Sequence, residues 1–93
     1  MTLKLKLTQK VVAALSMPPG KTDHVHWDSE LSGFGVRARL LADGKVDKSY
    51  VVQWKRGGKT RRRKLGSTAV LTSAELAREE ARKILAKVAL GEQ

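Results

Sequence analysis

Three runs of alternating apolar and polar residues, separated by two glycine turns, constrain the fold of this chain most. The runs cover residues 35–41, 48–55 and 59–65. Asp43-Gly44 lies between the first two runs, and Gly57-Gly58 lies between the last two. Alternation with a period of two puts neighbouring side chains on opposite faces of a strand, and both dipeptides favour tight hairpin turns. The pattern therefore predicts three antiparallel strands joined by hairpins.

The two faces of the predicted sheet differ in polarity. One face is apolar and is expected to point inward; it carries Val36, Ala38, Leu40, Tyr50, Val52 and Trp54, with Arg63 and Leu65 in the same phase. The other face, called the open face below, carries Arg37, Arg39, Gln53, Lys55, Arg62 and Lys64. A sheet with one apolar face needs a second layer that covers it.

That second layer is predicted at the C-terminal end of the sequence. Thr72 with Glu75 three positions later is a capping-box pattern that starts a helix, and Gly91 ends it. The apolar residues of this segment recur at helical spacing and form one stripe: Ala74, Ala77, Ala81, Ile84, Leu85 and Val88. We expect this stripe to cover the apolar face of the sheet.

Two shorter elements are predicted before the sheet. A helix begins at Thr8, whose hydroxyl can cap the first turn, and ends before Pro18-Pro19-Gly20. Residues 24–28 alternate and predict a short extra strand. Residues 3–7 are compatible with an extended arm or with a short edge strand.

These elements define an α+β fold, with a three-stranded antiparallel β-sheet packed against a C-terminal α-helix, a short N-terminal helix and a short extra strand. At 93 residues, the chain is expected to be a single domain covering residues 1–93. Its apolar runs are far too short to cross a bilayer, and lysines interrupt the apolar N-terminal segment that a signal peptide would need. A cytoplasmic location is therefore expected.

Positive charge is concentrated in the predicted hairpins. The chain has nineteen Lys and Arg against nine Asp and Glu, a formal net charge of +10. Eleven of these basic residues and only two acidic ones, Asp43 and Asp47, lie between Arg37 and Lys64. Like charges at this density repel one another, and a polyanionic partner relieves that repulsion. The charge pattern predicts a nucleic-acid-binding domain.

The residue types on the open face suit duplex DNA. A small sheet fits the major groove, where Arg can donate two hydrogen bonds to guanine and Gln can pair with adenine. The residues predicted to read bases are Arg37, Arg39, Gln53 and Arg62. The other predicted DNA-binding residues position the phosphate backbone; they are Lys45, Lys48, Lys55, Arg56, Lys59, Arg61 and Lys64.

Other site chemistries receive no support from the sequence. The chain has no cysteine, and Gly58-Lys59-Thr60 lacks the first glycine of a phosphate-binding loop. His24, His26 and Asp28 alternate on one face of a short strand and are expected to be ordinary surface groups, not metal ligands. No nucleophile lies beside a base. We therefore expect no catalytic centre, metal, cofactor or small-molecule substrate.

Two other functions are compatible with the residues. An RNA-binding accessory domain would read RNA shape through the basic sheet and stack an exposed ring on a base. Trp27, Phe34 and Trp54 are the candidate rings, but their phase predicts that they point into the core. A protein-interaction module would dock the basic face on an acidic partner.

A set of short motifs along the chain resembles a known family. The motifs are Leu7-Thr8, Trp27-Asp28, Leu31, Gly33-Phe34-Gly35-Val36-Arg37, Tyr50-Val51-Val52-Gln53-Trp54, Gly57-Gly58-Lys59, Arg61-Arg62, Leu65-Gly66, Leu71-Thr72, Ala77-Arg78 and Leu85 to Gly91-Glu92. The set covers nearly the whole chain. It resembles the N-terminal arm-type DNA-binding domain of prophage and genomic-island tyrosine integrases.

The resemblance implies a function in site-specific recombination. Such domains bind arm sites that flank the recombination core of attachment DNA, together with other integrase protomers, and support DNA integration. The family's catalytic Tyr, Arg, Lys and His belong to a later domain, so the implied role of this chain is non-catalytic. Thr68 and Ala69 depart from the aromatic residue and Pro that often follow Leu-Gly in the family, and one extra residue precedes Ala77. The connection into the last helix is therefore expected to differ.

Overall fold

The computed structural model describes residues 5–71 and 73–91, which form two helices and four strands. The elements are α1 (Gln9–Ala14), β1 (Asp23–Trp27), β2 (Phe34–Leu40), β3 (Val46–Arg56), β4 (Lys59–Ser67) and α2 (Ala74–Ala89). The strands form one antiparallel sheet in the order β1-β2-β3-β4. The α+β class, the hairpin-connected sheet and the C-terminal helix are confirmed.

The sheet has four strands, so the prediction of three was wrong. The segment predicted as a separate extra strand is β1, which pairs with β2 from Asp23 opposite Arg39 to Trp27 opposite Gly35. The last four residues of β1 are all half-buried. The alternation of residue types in β1 therefore does not indicate which of its faces points to the core. The sequence pattern alone also does not show that this strand pairs with β2.

Both predicted glycine turns are present. Gly44 has φ of 87° in the β2–β3 turn, and Gly57 and Gly58 have φ of 58° and 78° between β3 and β4. Positive φ at both central residues is typical of a type I′ turn, whose twist matches that of the flanking strands. The two-residue turn places Arg56 opposite Lys59, and the same register brings Gln53 opposite Arg62.

The core lies between one face of the sheet and the two helices. Its buried members are Leu7, Val12, Phe34, Val36, Tyr50, Val52, Ala74, Ala77 and Ala81. The rings of Phe34 and Tyr50 stack with centroids 5.7 Å apart, and the three alanines of α2 let the helix approach the sheet closely. Leu40 was predicted to point inward but is 43% exposed, because it ends β2 where the strand runs into the exposed hairpin turn.

The helix ends follow the predicted capping chemistry in part. The Thr8 hydroxyl accepts a hydrogen bond from the Val11 amide at 3.2 Å, which confirms the cap of α1. At α2 the cap is Ser73, whose hydroxyl accepts from the Leu76 amide at 3.3 Å. The predicted cap, Thr72, lies outside the described residues. Gly91 ends α2 with φ of 83°.

The segment before α1 runs beside the end of β1. Leu5 forms an isolated parallel bridge with Asp28, and Leu7 is buried in the core. The first four residues, including the predicted arm residues Leu3 and Lys4, lie outside the described residues.

Candidate nucleic-acid interface

The six residues predicted for the open face lie together on the side of the sheet that faces away from the helices. Directly opposed residues of antiparallel strands share a face. The register places Arg62 opposite Gln53, and it places Arg37 opposite Ser49, four residues earlier on the same face of β3. Three strands therefore supply one continuous polar surface: β2 with Arg37 and Arg39, β3 with Gln53 and Lys55, and β4 with Arg62 and Lys64.

A small buried floor lies in the middle of the open face. Val51 is 2% exposed and Ser49 is 6% exposed, although both point away from the helices. Together with Arg37, Arg39, Lys64 and Asp47 they line a depression of about 110 Å³. Long basic side chains cover apolar surface with their stems and keep their charged ends in water. The cations therefore surround a shallow concave surface.

Arg37 is paired with an aspartate on the open face. Its Nε donates to Oδ1 and Oδ2 of Asp23 at 3.0 and 3.2 Å, and its Nη2 also donates to Oδ2. The hydrogen bonds from Arg37, together with the positive charges of Arg37, Arg39 and Arg62, lower the pKa of the Asp23 carboxyl. The charge of Arg37, a predicted base reader, is therefore neutralised locally by Asp23. The sequence did not predict this contact, because the predicted strand began one residue after Asp23.

Arg62 is held by two neighbours on the open face. Its Nε and Nη2 donate to Oε1 of Gln53 at 3.0 and 2.8 Å. Its guanidinium carbon lies 6.0 Å from the ring centroid of Trp27, at the outer limit of a cation–π contact. A guanidinium carries five N–H groups, and Gln53 occupies two of them. The other three N–H groups, two on Nη1 and one on Nη2, donate to no residue in the described part of the chain.

Trp27 lies on the open face, so the prediction that its ring points into the core was wrong. Trp27 is opposite Gly35, and a Cβ on Gly35 would lie 2.9 Å from Cε3 of the indole and 2.7 Å from the carbonyl oxygen of His26. The absence of a side chain at Gly35 makes room for the ring on this side. Phe34 is fully buried and Trp54 packs against the core, as predicted.

The other predicted DNA-binding residues lie elsewhere. Lys45 is exposed in the β2–β3 turn. Lys48 points to the helix side, where Nζ donates to the carbonyl oxygens of Val12 and Ala13 at 2.9 and 3.4 Å. Arg56, Lys59 and Arg61 also lie in the helix-side phase, but all three are exposed on the β3–β4 hairpin. The guanidinium of Arg56 reaches the carbonyl oxygen of Gly91 at 3.5 Å.

The β3–β4 hairpin is basic on both faces. Residues 55–64 contain seven Lys and Arg and no acidic residue, and all ten are exposed. Of the seven basic residues, Lys55, Arg62 and Lys64 belong to the open face, and Arg56, Lys59, Arg61 and Arg63 lie in the helix-side phase. This segment forms a continuous cationic extension of the open face.

A buried ion pair that was not predicted from the sequence links Asp28, the residue after β1, to Arg78 of α2. Arg78 donates from Nε to Oδ2 of Asp28 at 2.9 Å and from Nη2 to Oδ1 at 3.0 Å. Asp28 also accepts from the amides of Leu7 at 2.8 Å and Leu31 at 2.9 Å, and Arg78 donates to the Leu7 carbonyl at 2.7 Å. Asp28 was expected to be an ordinary surface group, but it is 1% exposed.

The charge of Asp28 is retained inside the protein. Burial raises the pKa of this carboxyl, but the hydrogen bonds from Arg78, Leu7 and Leu31 outweigh burial, so that the pKa lies below its ordinary value. Two sequence signals point to the pair. The first is that position 78 lies on the apolar stripe of α2, where a buried arginine requires an acidic or carbonyl partner. The second is that the motifs Trp27-Asp28 and Ala77-Arg78 both belong to the family resemblance.

The two histidines of β1 lie in the helix-side phase, away from the open face. Their rings meet edge to face at 4.7 Å, and both residues are half-buried. Burial, with the nearby charges of His24 and Lys48, lowers the pKa of His26. Within residues 5–71 and 73–91, no three His, Asp or Glu side chains form a group that could hold a metal ion. None of the helices in this described part is long and apolar enough to span a membrane.

Comparison with known proteins links the chain to one family. A family model described as an arm DNA-binding domain matches residues 7–93, nearly the full length of the chain. Searches of curated proteins and of solved structures found no significant match.

Proposed function

The chain belongs to the arm DNA-binding domain family, the domain found at the N-terminus of tyrosine integrases, and from this premise we propose that its open face lies in the major groove of an arm-type DNA site. Family membership makes the chain a non-catalytic DNA-binding module. The finer proposal is that it reads double-stranded DNA beside a recombination core. There it supports integration by a tyrosine recombinase, alongside other integrase protomers.

The dimensions of the open face support this docking mode. The three strands that carry its six polar residues, β2, β3 and β4, span two inter-strand spacings of about 4.8 Å, so their backbone is about 10 Å across, and β1 adds a fourth strand at one edge of the sheet. The major groove of B-DNA is about 12 Å wide, which accommodates a small sheet lying with one face toward the bases. Both helices pack on the opposite side of the sheet and do not obstruct this approach.

The position of each cation suggests its role in the proposed complex. Arg39 and Arg62 stand on the open face where base edges would lie, and Arg37 joins them once it releases Asp23. Lys55 and Lys64 on the same face, with Lys45, Arg56, Lys59 and Arg61 at the hairpins, are proposed to contact phosphates. Lys48, which is bound to the end of α1, is proposed to support the fold instead.

The observation that carries the proposal is the open face, which neither helix covers within residues 5–71 and 73–91. Its six polar side chains come from three strands and continue into the cationic β3–β4 hairpin. A sheet whose outer face is mainly cationic, with a concave floor, matches a groove lined by phosphates on both sides. The proposal is tested with duplex DNA from the flank of an integrated element and with a scrambled duplex of the same length.

Fluorescence anisotropy at two salt concentrations measures both affinities. We expect at least tenfold tighter binding to the flank duplex, persisting as salt rises, because base contacts depend less on salt than phosphate contacts do. Lys64→Met should weaken binding to both duplexes and lower the salt slope by about one unit. Lys48→Met is the matched control; it removes the same charge from the helix side and should leave the slope nearly unchanged.

Three outcomes would contradict the proposal. Equal and steeply salt-dependent binding to both duplexes would leave only non-specific attraction between charges. Preference for structured RNA at equal salt would favour the RNA-binding alternative. Equal effects of Lys64→Met and Lys48→Met, with both variants folded by circular dichroism, would show that the open face is not the DNA-binding surface.

A further inference from the structure

We propose that Arg62 reads a guanine and that Gln53 and Trp27 are positioning residues that hold its guanidinium toward the groove. The inference rests on the proposed function, since it assumes that the open face meets base edges. It replaces the sequence-based expectation that Gln53 is itself a base reader.

The hydrogen bonds of Gln53 argue against its reading adenine. A glutamine recognises adenine by accepting from N6 through Oε1 while its amide donates to N7. In this structure Oε1 already accepts two hydrogen bonds, from Nε and Nη2 of Arg62. A carbonyl oxygen has two lone pairs, so its acceptor capacity is filled. Adenine recognition would require at least one of these bonds to break.

The same two bonds leave Arg62 suited to guanine. They occupy the Nε side of the guanidinium, so Nη1 and the outer N–H of Nη2 remain as a parallel fork. Guanine presents O6 and N7 as two adjacent acceptors in the major groove, and a free arginine fork matches both. The partner of Arg62 is uncharged, so the full positive charge stays available for DNA. Arg37 differs in this respect because Asp23 neutralises it.

Trp27 restricts Arg62 from a second direction. Its ring lies 6.0 Å from the guanidinium carbon and occupies the space above Gly35, where a Cβ would come within 2.9 Å of the indole. A flexible side chain that is already oriented loses less freedom on binding, which is the general benefit of preorganisation. The contacts with Gln53 and Trp27 therefore define one direction for the fork before DNA arrives.

The test is selection from a duplex library with a randomised stretch of one helical turn, about ten base pairs. The wild-type chain is compared with Arg62→Lys, Gln53→Leu, Gln53→Glu and the control Lys55→Met. Affinities for duplexes that differ only at the selected guanine are then measured by anisotropy. Gln53→Glu keeps the acceptor oxygen and removes the amide donor, so it separates positioning of Arg62 from reading of adenine.

We expect the wild type to select a guanine at one position. Arg62→Lys and Gln53→Leu should each reduce the preference for that same guanine about tenfold or more, while the affinity for unrelated duplex changes little. Gln53→Glu and Lys55→Met should each weaken binding to every duplex, because the first adds a negative charge beside Arg62 and the second removes a proposed phosphate contact. Both should retain the preference for the guanine, because neither removes the acceptor that holds Arg62. Trp27→Leu should reduce it by a smaller factor. Circular dichroism establishes that each variant is folded.

Two results would overturn the inference while leaving the proposed function intact. In the first, Gln53→Leu and Gln53→Glu both abolish selection of an adenine at a different position, which would make Gln53 a base reader. In the second, Arg62→Lys leaves every selected position unchanged, which would make Arg62 a phosphate contact. If the wild type selects no sequence at all from the library, the inference and the proposed sequence-specific function both fail.

Discussion

Two Asp–Arg pairs in this molecule have the same chemistry but lie in different surroundings. The side chains of Arg78 and Asp28 are 3% and 0% exposed, whereas those of Arg37 and Asp23 are 36% and 45% exposed. In both pairs Nε and Nη2 of the arginine donate to the carboxylate. Water can replace a lost partner only in the exposed pair. Losing one partner of the buried pair therefore costs much more stability than losing one partner of the exposed pair.

The buried pair also connects segments that are far apart in the sequence. Asp28 at the end of β1 binds Arg78 of α2, and both side chains bind the backbone of Leu7. The exposed pair joins only two neighbouring strands. A difference in stability between variants of the two pairs is the direct measure of this contrast.

The largest expected effect is that of Arg78→Met. Removal of the arginine leaves Asp28 buried without its charged partner, a change that costs about 3 to 5 kcal/mol of unfolding free energy. This is a large share of the total stability of a small domain, about 5 to 15 kcal/mol. The matched variant Arg37→Met should cost less than about 1 kcal/mol. Urea denaturation followed by circular dichroism measures both, and equal losses would remove the distinction between the pairs.

Replacing both buried partners tests whether charge pairing alone explains the effect. Apolar replacement of a buried ion pair is often nearly neutral. In the variant Asp28→Leu with Arg78→Met, however, the amides of Leu7 and Leu31 and the Leu7 carbonyl lose their partners, at about 1 to 3 kcal/mol for each group left unsatisfied. We expect the double variant to stay at least about 2 kcal/mol less stable than the wild type. If the double variant were as stable in urea as the wild type, these backbone contacts would contribute nothing to stability.

Acid should weaken the buried pair in a predictable direction. The pKa of Asp28 is lower in the folded protein than its ordinary value of 3.8, so the stabilisation from its charge is fully present above pH about 4 and is lost as the pH falls through the folded pKa. The expected loss is smaller than for Arg78→Met because a protonated carboxyl still accepts hydrogen bonds. The measurement is the difference in unfolding free energy between wild type and Asp28→Asn from pH 2 to 7. If this difference in unfolding free energy did not decrease below pH 4, the charge of Asp28 would not be the source of the stabilisation.

The smallest expected effect is that of Asp23→Asn in the exposed pair. Its unfolding free energy should change by less than about 1 kcal/mol, because exposed pairs are screened by water and salt. Loss of an anion from the open face should raise the affinity for unrelated duplex DNA, by at most about fivefold at low salt. Anisotropy at two salt concentrations checks this expectation. An unchanged affinity would indicate that Arg37 does not approach DNA.

The sequence predicted the parts of the fold that depend on local pattern. Val36, Ala38, Tyr50 and Val52 are buried as expected, because residues of opposite polarity alternate in β2 and β3. The position of Arg62 beside Gln53 also follows from sequence, since a two-residue turn at Gly57-Gly58 determines the register of β3 and β4.

The features that the sequence did not predict depend on contacts between distant segments. Trp27 faces away from the core because Gly35, on the next strand, leaves space for its ring. Asp28 and Arg78 are 50 residues apart, and polar residues of either type are most often exposed when considered alone. Alternation within one short strand contains no information about either contact. Base-reading roles remain predictions, because residue type and position do not determine which bases a side chain meets.

The cationic β3–β4 hairpin has a consequence for kinetics. Seven positive charges within ten exposed residues create a local field that attracts a polyanion before any short-range contact forms. Such attraction raises association rates and weakens steeply with ionic strength, whereas dissociation rates depend on contacts formed after docking. We therefore expect changes at the hairpin to alter how fast the complex forms, and changes around Arg62 to alter how long it lasts.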